Sequence, residues 1–507
     1  MILHRTVTLL TLTLLPQTSG LPWRNRKTTA EGGEGEEEPM HALRESNNSS
    51  DDDDACNANN VDVDVRMTNS TTNTNTLSTT TTEQQQQQQI LADELLQTSF
   101  HTKTRRKLHA VPELMYNEAE TSKIIRETLD EYNITYTTNW GVNIYPEDYP
   151  AGHTGGYGLV ADIGTGHPPC VLLRADMDAL PILEETEFFL NGEDLKSQND
   201  GKMHACGHDG HTTMLLGAAV VLKQLDEMKL INGTIRLMFQ PAEEGGAGGK
   251  RMREEGVLDL YPPVQHAYGM HLWPTLPTGT IAGRPGAILA GADSFEITLS
   301  GVGGHAAMPH LTVDPVLAAS SIVTSLQSIV SRNISPLDSG VVSVTVVQAG
   351  EAFNVIPDKA VLKGTIRALS TEALVELRSK VESLTKGIGE AHGCSVSITF
   401  WKDFYPPTVN DAELWDFASG VAASVSVDGM VRDVPPTMGA EDFSFIAEAV
   451  PSTFFLVGQG SASSPHPPSS YGLHHPHFAI DEDVLPIGSQ LHVELALKTL
   501  EKLNAAA

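Results

Sequence analysis

A segment of strongly biased composition limits what this chain can fold into. Residues 21–89 contain the runs EGGEGEEE, DDDD, STTTT and QQQQQQ, with few apolar side chains between them. Such a segment cannot bury enough apolar surface to offset the entropy lost on ordering, so we predict a disordered linker. Folding is expected to begin near Ile90, which leaves most of the 507 residues for two or three domains.

The first 20 residues predict a signal peptide. An apolar stretch from about Val7 to Leu15 follows a weakly basic start and precedes Pro16 and small residues, which is the layout of secretory signals. This stretch is too short to span a bilayer stably, so no stable membrane span is expected. We predict the secretory pathway or the extracellular space, with an organelle lumen as the alternative, because threonines dilute the apolar stretch.

The net charge limits the kinds of partner that are expected, and the number of cysteines limits the disulfide bonds. The net charge of -31 argues against a nucleic-acid partner, because phosphate binding needs clustered Lys and Arg. The four cysteines lie far apart, and a disulfide framework in so long a chain would use more. Cys170 and Cys394 are interpreted as small buried apolar residues, whereas Cys206 lies among histidines.

The order of predicted elements indicates an α/β domain. GLVADIG, CVLLRADMD and GTIRLMFQPAEE are predicted strands, and a helix is expected from about Thr212 to Met228, before the last of them. Strand–helix–strand alternation is typical of an α/β domain with a sheet covered on both faces. Further helices are predicted at Glu120–Tyr132, Ala412–Ser426, Ala440–Glu448 and Leu485–Leu503.

A second domain interrupts the first. Between residues 291 and 402 the order becomes β-α-β-β-α-β, with helices expected at Asp314–Asn333 and Glu372–His392. This is the split arrangement of ferredoxin-like α+β domains, and its length suits a small domain. We therefore predict an α/β domain in two parts, 90–290 and 403–507, with residues 291–402 inserted between them.

The stretch HACGHDGH places three histidines and a cysteine within eight residues. Gly207 and Gly210 argue against a helix here, so we expect a loop, with the helix beginning near Thr212. Cys206 and His208 are two apart and point the same way from an extended backbone. Thiolate and imidazole together suit zinc or a similar metal. The alternative is a buried cysteine beside solvent-facing histidines.

Two pairs of carboxylates stand where predicted strands end. Asp176 and Asp178 alternate in RADMDALP, so both face one side, where they could bind metal or orient a ligating histidine. Glu243 and Glu244 are adjacent in FQPAEEGGAGG and are expected to point to opposite sides, one toward a metal and one toward a substrate. A solvated turn is the alternative for each pair.

Two further histidine stretches complete a possible donor set. GMHLWP contains His271, and GLHHPHF contains His474, His475 and His477. Each stretch alone is weak evidence for a metal site, because a single histidine is more often a hydrogen-bonded polar residue than a metal ligand. Together the stretches supply Cys, His, Glu, His and His from one α/β domain, which indicates a metal site.

These stretches resemble the metal-dependent aminoacylase and carboxypeptidase superfamily. Within it they are most similar to the amidohydrolases that cleave N-acyl amino acids, namely hippurate hydrolases and plant indole-3-acetyl-amino-acid hydrolases. The matching motifs are LLRADMDALPI, HACGHDGHTTMLLGAA, FQPAEEGGAGG, GGHAAMPH, FNVIPD, GTIRAL, GAEDFS and LHHPHF. The resemblance implies hydrolysis of the amide bond of a small N-acyl amino acid, with two divalent ions, manganese or zinc, as cofactors.

The resemblance also implies roles for individual residues. The positions that match the family's metal ligands are Cys206, His208, Glu244, His271 and His474, with Glu243 at the position of the catalytic base. His474 is chosen over His475 because the family's ligand stands two residues before the proline.

The inserted domain resembles the family's dimerisation lid. His305, Asn354 and Arg367 match positions that reach the substrate, and the family's histidine acts on the partner subunit's site. We expect His305 to stabilise the oxyanion and Arg367 to hold the substrate carboxylate. The resemblance therefore implies a homodimer that forms through the inserted domain.

Two departures and three alternatives accompany this interpretation. Val302 stands where the family often has Lys, and the long N-terminal extension lies outside the family pattern. The same site could serve a metallopeptidase or a deacetylase of N-acetyl amino acids. A non-catalytic metal-binding protein is the third alternative, and the presence of all five ligand positions together with Glu243 argues against it.

Overall fold

The computed structural model describes residues 99–186, 189–190, 193–460, 469 and 471–506. The predicted signal peptide (1–20), the predicted linker (21–89) and Ile90, near which folding is expected to begin, lie outside these residues, so all three stay predictions, as does the secretory pathway. Among the described helices, none combines the length and apolar character needed to cross a membrane.

The chain forms ten α-helices within the described residues. They are α1 (Phe100–His109), α2 (Ala119–Glu131), α3 (His208–Glu227), α4 (Gly248–Glu254), α5 (Pro315–Leu326), α6 (Ser328–Arg332), α7 (Thr371–Ala391), α8 (Ala412–Val425), α9 (Ser444–Ala447) and α10 (Leu485–Ala506). The strands are β1 (Tyr136–Val142), β2 (Gly155–Gly164), β3 (Cys170–Asp176), β4 (Phe189–Leu190), β5 (Glu193–Asp194), β6 (Thr234–Gln240), β7 (His266–Pro277), β8 (Ile281–Gly283), β9 (Gly286–Leu289), β10 (Gly291–Ser300), β11 (Gly304–His305), β12 (Gly340–Ala349), β13 (Val355–Ile356), β14 (Lys359–Ala368), β15 (Ser395–Phe400), β16 (Thr408–Asn410), β17 (Val431–Asp433) and β18 (Ser452–Gly460).

An eight-stranded mixed sheet organises the α/β domain. Its order is β1-β2-β6-β3-β7-β18-β8-β17, and β6, β3, β7 and β18 run parallel at its centre. Every residue of β3 and β6 is buried, as expected for central strands covered on both faces. Helices α2, α3, α8 and α10 pack on one face and α4 and α9 on the other, which confirms the predicted fold class.

The inserted segment builds its own sheet. Strands β10, β12, β14 and β15 pair antiparallel in the order β12-β14-β10-β15. Helices α5 and α7 cover one face of this sheet and enclose a separate apolar core. The order matches the ferredoxin-like arrangement that the sequence predicts.

The chain passes from the eight-stranded sheet to the inserted sheet and later returns, and the two connecting segments, here called crossings, lie side by side. Ala292, on the outgoing crossing, and Tyr405, on the returning one, exchange two backbone hydrogen bonds of 2.8 and 2.9 Å. The inserted domain is therefore tied to the α/β domain by two adjacent chain segments joined by a single β-bridge, here called the hinge (residues 290–292 and 401–405).

Three predicted helix boundaries are wrong. Helix α3 begins at His208 rather than Thr212, because Gly207 adopts φ +89 as its N-cap. Gly210 serves packing rather than breaking the helix, since a Cβ there would approach Leu272 Cδ1 to 2.6 Å.

The other two corrections concern shorter helices. The predicted helix Asp314–Asn333 is divided at Gln327, where the Ser328 hydroxyl donates to the Ser325 carbonyl at 2.7 Å, a local bond of the kind that competes with regular helix. The predicted helix Ala440–Glu448 is reduced to α9, because Glu441 and Asp442 direct their carboxylates to a buried arginine.

Two buried histidines of the helical layer predict a loss of stability in acid. Burial lowers the pKa of His492, on α10, to about 3, and that of His101, on α1, to about 4. Because the unfolded chain titrates near 6.5, stability is fully present above that pH and falls as the pH decreases toward the folded-state values. The expected loss between pH 7 and pH 5 is about 2 kcal/mol for each histidine.

The measurement is denaturant unfolding of wild type and His492→Leu at both pH values. Neither ring nitrogen of His492 has a hydrogen-bond partner among the described residues, so leucine removes the titration without stranding a partner. The variant is expected to lose about 2 kcal/mol less than wild type on acidification. The matched change His310→Leu, at an exposed position, should keep the wild-type slope. Parallel curves for wild type and His492→Leu would contradict the prediction.

Candidate metal centre

Cys206 and His208 lie at the start of α3, next to the carboxyl ends of the central strands. Both side chains are buried. Cys206 Sγ lies 3.3 Å from Nε2 of His271, a residue of β7. His271 donates from Nδ1 to the carbonyl of Leu272 at 2.7 Å, so its Nε2 lone pair is free for a metal. The donor atoms of these three residues lie within 4.8 Å of one another.

His211 is near the same cluster but its ring is already occupied. The Leu272 N–H donates to His211 Nε2 at 2.9 Å, so the proton is on Nδ1, which donates to Asp176 at 2.6 Å. Asp176 thereby fixes one imidazole, and its other oxygen lies 3.6 Å from His208 Nε2. His211 therefore stabilises the strand that carries His271, and it has no free lone pair to offer a metal ion.

The loop after β6 carries Glu243 and Glu244. Both backbone N–H groups donate to Asp178, at 2.9 and 3.0 Å, so this carboxylate shapes the loop. The loop is a tight turn and not an extended segment. The prediction that the two glutamates point to opposite sides is wrong, because a carboxylate oxygen of each lies 4.0 Å from His208 Nε2.

Glycines in this loop allow close approach of the backbone, as the sequence predicts. A Cβ on Gly248 would meet the Pro241 carbonyl oxygen at 1.7 Å, and one on Gly246 would meet Ala242 Cβ at 2.7 Å. Neither position can accept a side chain without moving the main chain that carries the glutamates.

His474 approaches the cluster from the C-terminal part of the chain. Its φ is +63, and its N–H donates to the carbonyl of Ala205 at 2.8 Å. Its Nε2 lies 3.2 Å from Glu244 Oε1. Cys206, Glu244 and His474 thus form a second group of donors within 4.8 Å of one another.

The donor set fits two divalent metal ions. His208 is wholly buried, yet neither of its ring nitrogens has a hydrogen-bond partner among the described residues. Burial alone would lower its pKa, but the charge of Asp176 and contact with Asp178 raise it to about 10. A buried imidazole that gains a proton marks an excess of negative charge. Divalent cations neutralise such an excess and bind the deprotonated donors.

Glu243 is suited to proton transfer. Burial raises its pKa well above the usual value, and the neighbouring charges of Glu441 and Glu244 raise it further. Glu244 behaves oppositely, because contact with His474 and the charge of His208 outweigh burial and lower its pKa. The two adjacent carboxyls therefore differ in their affinity for a proton, which is high at Glu243 and low at Glu244.

A buried arginine ties these parts together. Arg174, on β3, contacts Asp176 Oδ2, Glu441 Oε1 and Asp442 Oδ1, each at 2.8 Å, and its Nε donates to Gln240 Oε1 at 2.8 Å. It joins β3, β6 and the segment before α9 directly beneath the metal donors.

A cavity of about 730 Å³ opens beside the donors. Its wall contains Glu243, Glu244 and His474 from the α/β domain and Arg367 from β14 of the inserted domain. Burial lowers the pKa of Arg367, and within the described part of the chain no carboxylate pairs with it. The apolar and aromatic side chains of the wall are Met115, Tyr145, Tyr149, Phe400, Trp401, Tyr405 and Met438, and Asp148, Lys402 and Asp403 add charged groups to it.

His305 and Asn354 do not line this cavity. They adjoin each other at the paired strands β11 and β13, where the Ala306 N–H donates to the Asn354 carbonyl at 2.9 Å. Both side chains are exposed. Within one chain, the structure therefore brings together the five predicted metal donors, Glu243 and Arg367, but not these two residues.

Sequence reasoning missed several residues that hold the site in place. Glu118 and Tyr405 anchor the glutamate loop, and Arg174 binds the carboxylates of GAEDFS. The sequence does contain a signal for Arg174, because a charged residue inside the apolar run CVLLRA is expected to have buried partners of opposite charge. Tyr405 and Glu118 had none, since their contacts are distant in sequence.

The fold and the donor set define a class of hydrolase that activates water at a pair of divalent metal ions. Residues 172–498 match the model of peptidase family M20/M25/M40, and the chain belongs to this family. The resemblance that the sequence carries is thus confirmed, and the chain is a metal-dependent amidohydrolase.

Relatives and a solved structure agree with this assignment. The chain is 43% identical over 406 residues to IAA-amino acid hydrolase ILR1-like 4 of Arabidopsis thaliana, covering 79% of this chain and 86% of the relative. It is 39% identical over 410 residues to N-acetylcysteine deacetylase of Bacillus subtilis (strain 168), with 80% and 99% covered. The crystal structure of a dinuclear metal binding peptidase of the M20 family from Bacillus subtilis matches with a TM-score of 0.63 and 35% identity, over 80% of this chain and 99% of the other.

Proposed function

We propose that this protein hydrolyses the amide bond of N-acyl amino acids and releases a carboxylic acid and a free amino acid. The observation that carries the proposal is the juxtaposition of Glu243, the metal donors and Arg367 around one cavity. A substrate amide that reaches the metal donors can direct its carboxylate to Arg367. The names of the two relatives, a hydrolase of IAA-amino acids and a deacetylase of N-acetylcysteine, support this reaction.

Glu243 is the proton carrier in the proposed mechanism. Cys206, His208, Glu244, His271 and His474 would hold two divalent ions, which would lower the pKa of a water molecule and polarise the amide carbonyl. Glu243 accepts the proton of that water, and its raised pKa lets it hold the proton. The same carboxyl then protonates the nitrogen of the leaving amine.

Arg367 binds the amino-acid end of the substrate. A guanidinium without an acidic partner in the described structure can form a bidentate pair with the substrate carboxylate. The aromatic wall of the cavity offers apolar surface to the acyl group, and Asn354 is assigned to the same carboxylate or to the carbonyl.

His305 is assigned to the oxyanion of a neighbouring subunit's site. The position of His305 outside its own chain's cavity supports this assignment, and so does the exposed apolar surface beside it, which includes Leu311, Leu317, Phe353 and Val355. Apolar surface of this kind is typical of a contact between protein subunits. We infer a homodimer in which each inserted domain completes the partner's site.

The metal is zinc or manganese. A thiolate donor favours zinc, whereas the carboxylates suit either ion. Bound metal, measured on protein as purified, distinguishes them.

The test is hydrolysis of a panel by metal-stripped protein with zinc or manganese added back. The panel contains N-benzoyl-glycine, N-acetyl-cysteine, indole-3-acetyl conjugates of Ala and Leu, and dipeptides. We expect metal-restored cleavage of one acyl class and a low rate for the same conjugates with the carboxylate amidated, because Arg367 then lacks its partner. Cleavage of dipeptides alone would favour the metallopeptidase alternative. Two bound ions without any hydrolysis would contradict the proposal and favour a binding protein.

A further inference from the structure

Two alanines in the glutamate loop adopt a conformation that side chains disfavour. Ala242 has φ +57 and Ala247 has φ +56, and they flank Glu243 and Glu244. The left-handed region brings Cβ close to the following carbonyl, so a non-glycine residue stays there only where its surroundings hold it. The contacts that hold these two alanines therefore position the carboxylates between them.

The two alanines are held by different parts of the molecule. The Ala242 N–H donates to Glu118 Oε1 at 2.9 Å, a contact within the α/β domain. The Ala247 N–H donates to the hydroxyl of Tyr405 at 2.8 Å. The same hydroxyl donates to the Glu243 carbonyl at 2.7 Å. One buried phenol on the hinge thus bridges both ends of the turn that carries the glutamates.

Tyr405 is itself fixed to the hinge. Its backbone forms the hydrogen-bonded pair with Ala292, and its ring packs against Phe445 at a centroid distance of 5.7 Å. Two residues earlier, Asp403 pairs with Lys250 and Arg251 of α4, the helix that follows the loop. The returning crossing and the loop are therefore joined at two places.

We propose that Tyr405 is a positioning residue that couples the hinge of the inserted domain to the carboxylates of Glu243 and Glu244. This inference rests on the function proposed above, in which Glu243 moves the proton. Because the hydroxyl both donates and accepts, a shift of the hinge moves the turn and changes the distance from Glu243 to the reacting atoms. Phenylalanine keeps the ring and removes both contacts.

The experiment compares Tyr405→Phe with Tyr268→Phe. Tyr268 is a matched control, since its buried hydroxyl also forms a hydrogen bond, to Thr499 at 2.7 Å, away from the loop. The measurements are kcat, KM, bound metal, and hydrogen exchange in the peptide covering residues 241–250. For Tyr405→Phe we expect a fall in kcat of about 10- to 100-fold, a KM within about twofold of wild type, unchanged metal content and faster exchange in that peptide. Tyr268→Phe should change none of these.

Each result decides the proposal. Unchanged exchange in Tyr405→Phe would overturn it, since any fall in kcat would then reflect direct contact with substrate. An equal fall in kcat in Tyr268→Phe would also overturn it, because the cause would be general destabilisation. If wild type cleaves no substrate, the proposed function fails, and the exchange data still decide the coupling. If Tyr405→Phe does not fold, Asp403→Asn is measured in the same way, and exchange equal to that of wild type overturns the proposal.

Discussion

Glu243→Gln is expected to lower kcat about 1,000-fold. The amide has nearly the same shape as the carboxyl but cannot accept and return a proton. The metal donors are untouched, so two equivalents of metal should remain bound. The measurements are kcat on the preferred panel substrate and metal content, with the exposed change Glu120→Gln as the control. A kcat near that of wild type would rule out Glu243 as the base.

The same variant tests the dimer when it is combined with His305→Ala. His305→Ala should itself lose about 100-fold or more in kcat, as for removal of one oxyanion donor. If His305 acts on the partner's site, each mixed dimer contains one intact site, and co-expression of the two inactive chains should restore about a quarter of wild-type activity. Activity of the mixture equal to the sum of the two inactive homodimers would show that His305 does not act in trans.

Arg174→Met is expected to destabilise the protein by about 3–5 kcal/mol and to weaken metal binding. Removing the guanidinium leaves Glu441 and Asp442 buried without their counter-charge and deprives Asp176 of one of its partners, which costs far more than the pairs themselves contribute. Asp176 also loses the contact that holds it beside His208. Arg174→Lys should recover little, because a single ammonium cannot reach acceptors on three sides.

Arg236 provides the matched control for Arg174. It is the other fully buried arginine of the central strands, and its guanidinium pairs with Asp162 at 2.8 Å. The Asp162 side chain is 36% exposed, so water can solvate it once the arginine is gone. Arg236→Met should therefore cost less and leave metal affinity unchanged. Denaturant unfolding and metal titration of both variants provide the measurement, and equal effects would contradict a special role for Arg174.

The sequence predicted the fold well because its signals are local. Continuous apolar runs such as CVLLRA identify buried parallel strands, and the change to β-α-β-β-α-β order marks the inserted sheet. The predicted helix boundaries are wrong where tertiary contacts override the local conformational preference of the sequence. Gly210 suggests a break in a helix, yet its missing side chain is needed to admit Leu272.

The candidate site was predicted as a set of residue types but not as a geometry. Cys206, His208 and Glu244 stand in recognisable stretches, so chemistry and resemblance suffice to select them. The sequence indicates an extended segment at Glu243, but the structure has a turn there. Contacts with Asp178, Glu118 and Tyr405 determine the shape of this turn. These three residues are distant from Glu243 in the sequence, so no local sequence pattern predicts their contacts with the turn.

The pairing of β7 with β18 has a consequence for synthesis of the chain. The two strands pair Ala267 with Ser452 and Leu272 with Val457, so the whole inserted segment leaves the ribosome between them. At about 5–20 residues per second, this delay is roughly 10–40 s. His474 emerges later still. A nascent chain can therefore complete its ferredoxin-like sheet before its metal centre, which cannot be assembled until His474 has left the ribosome.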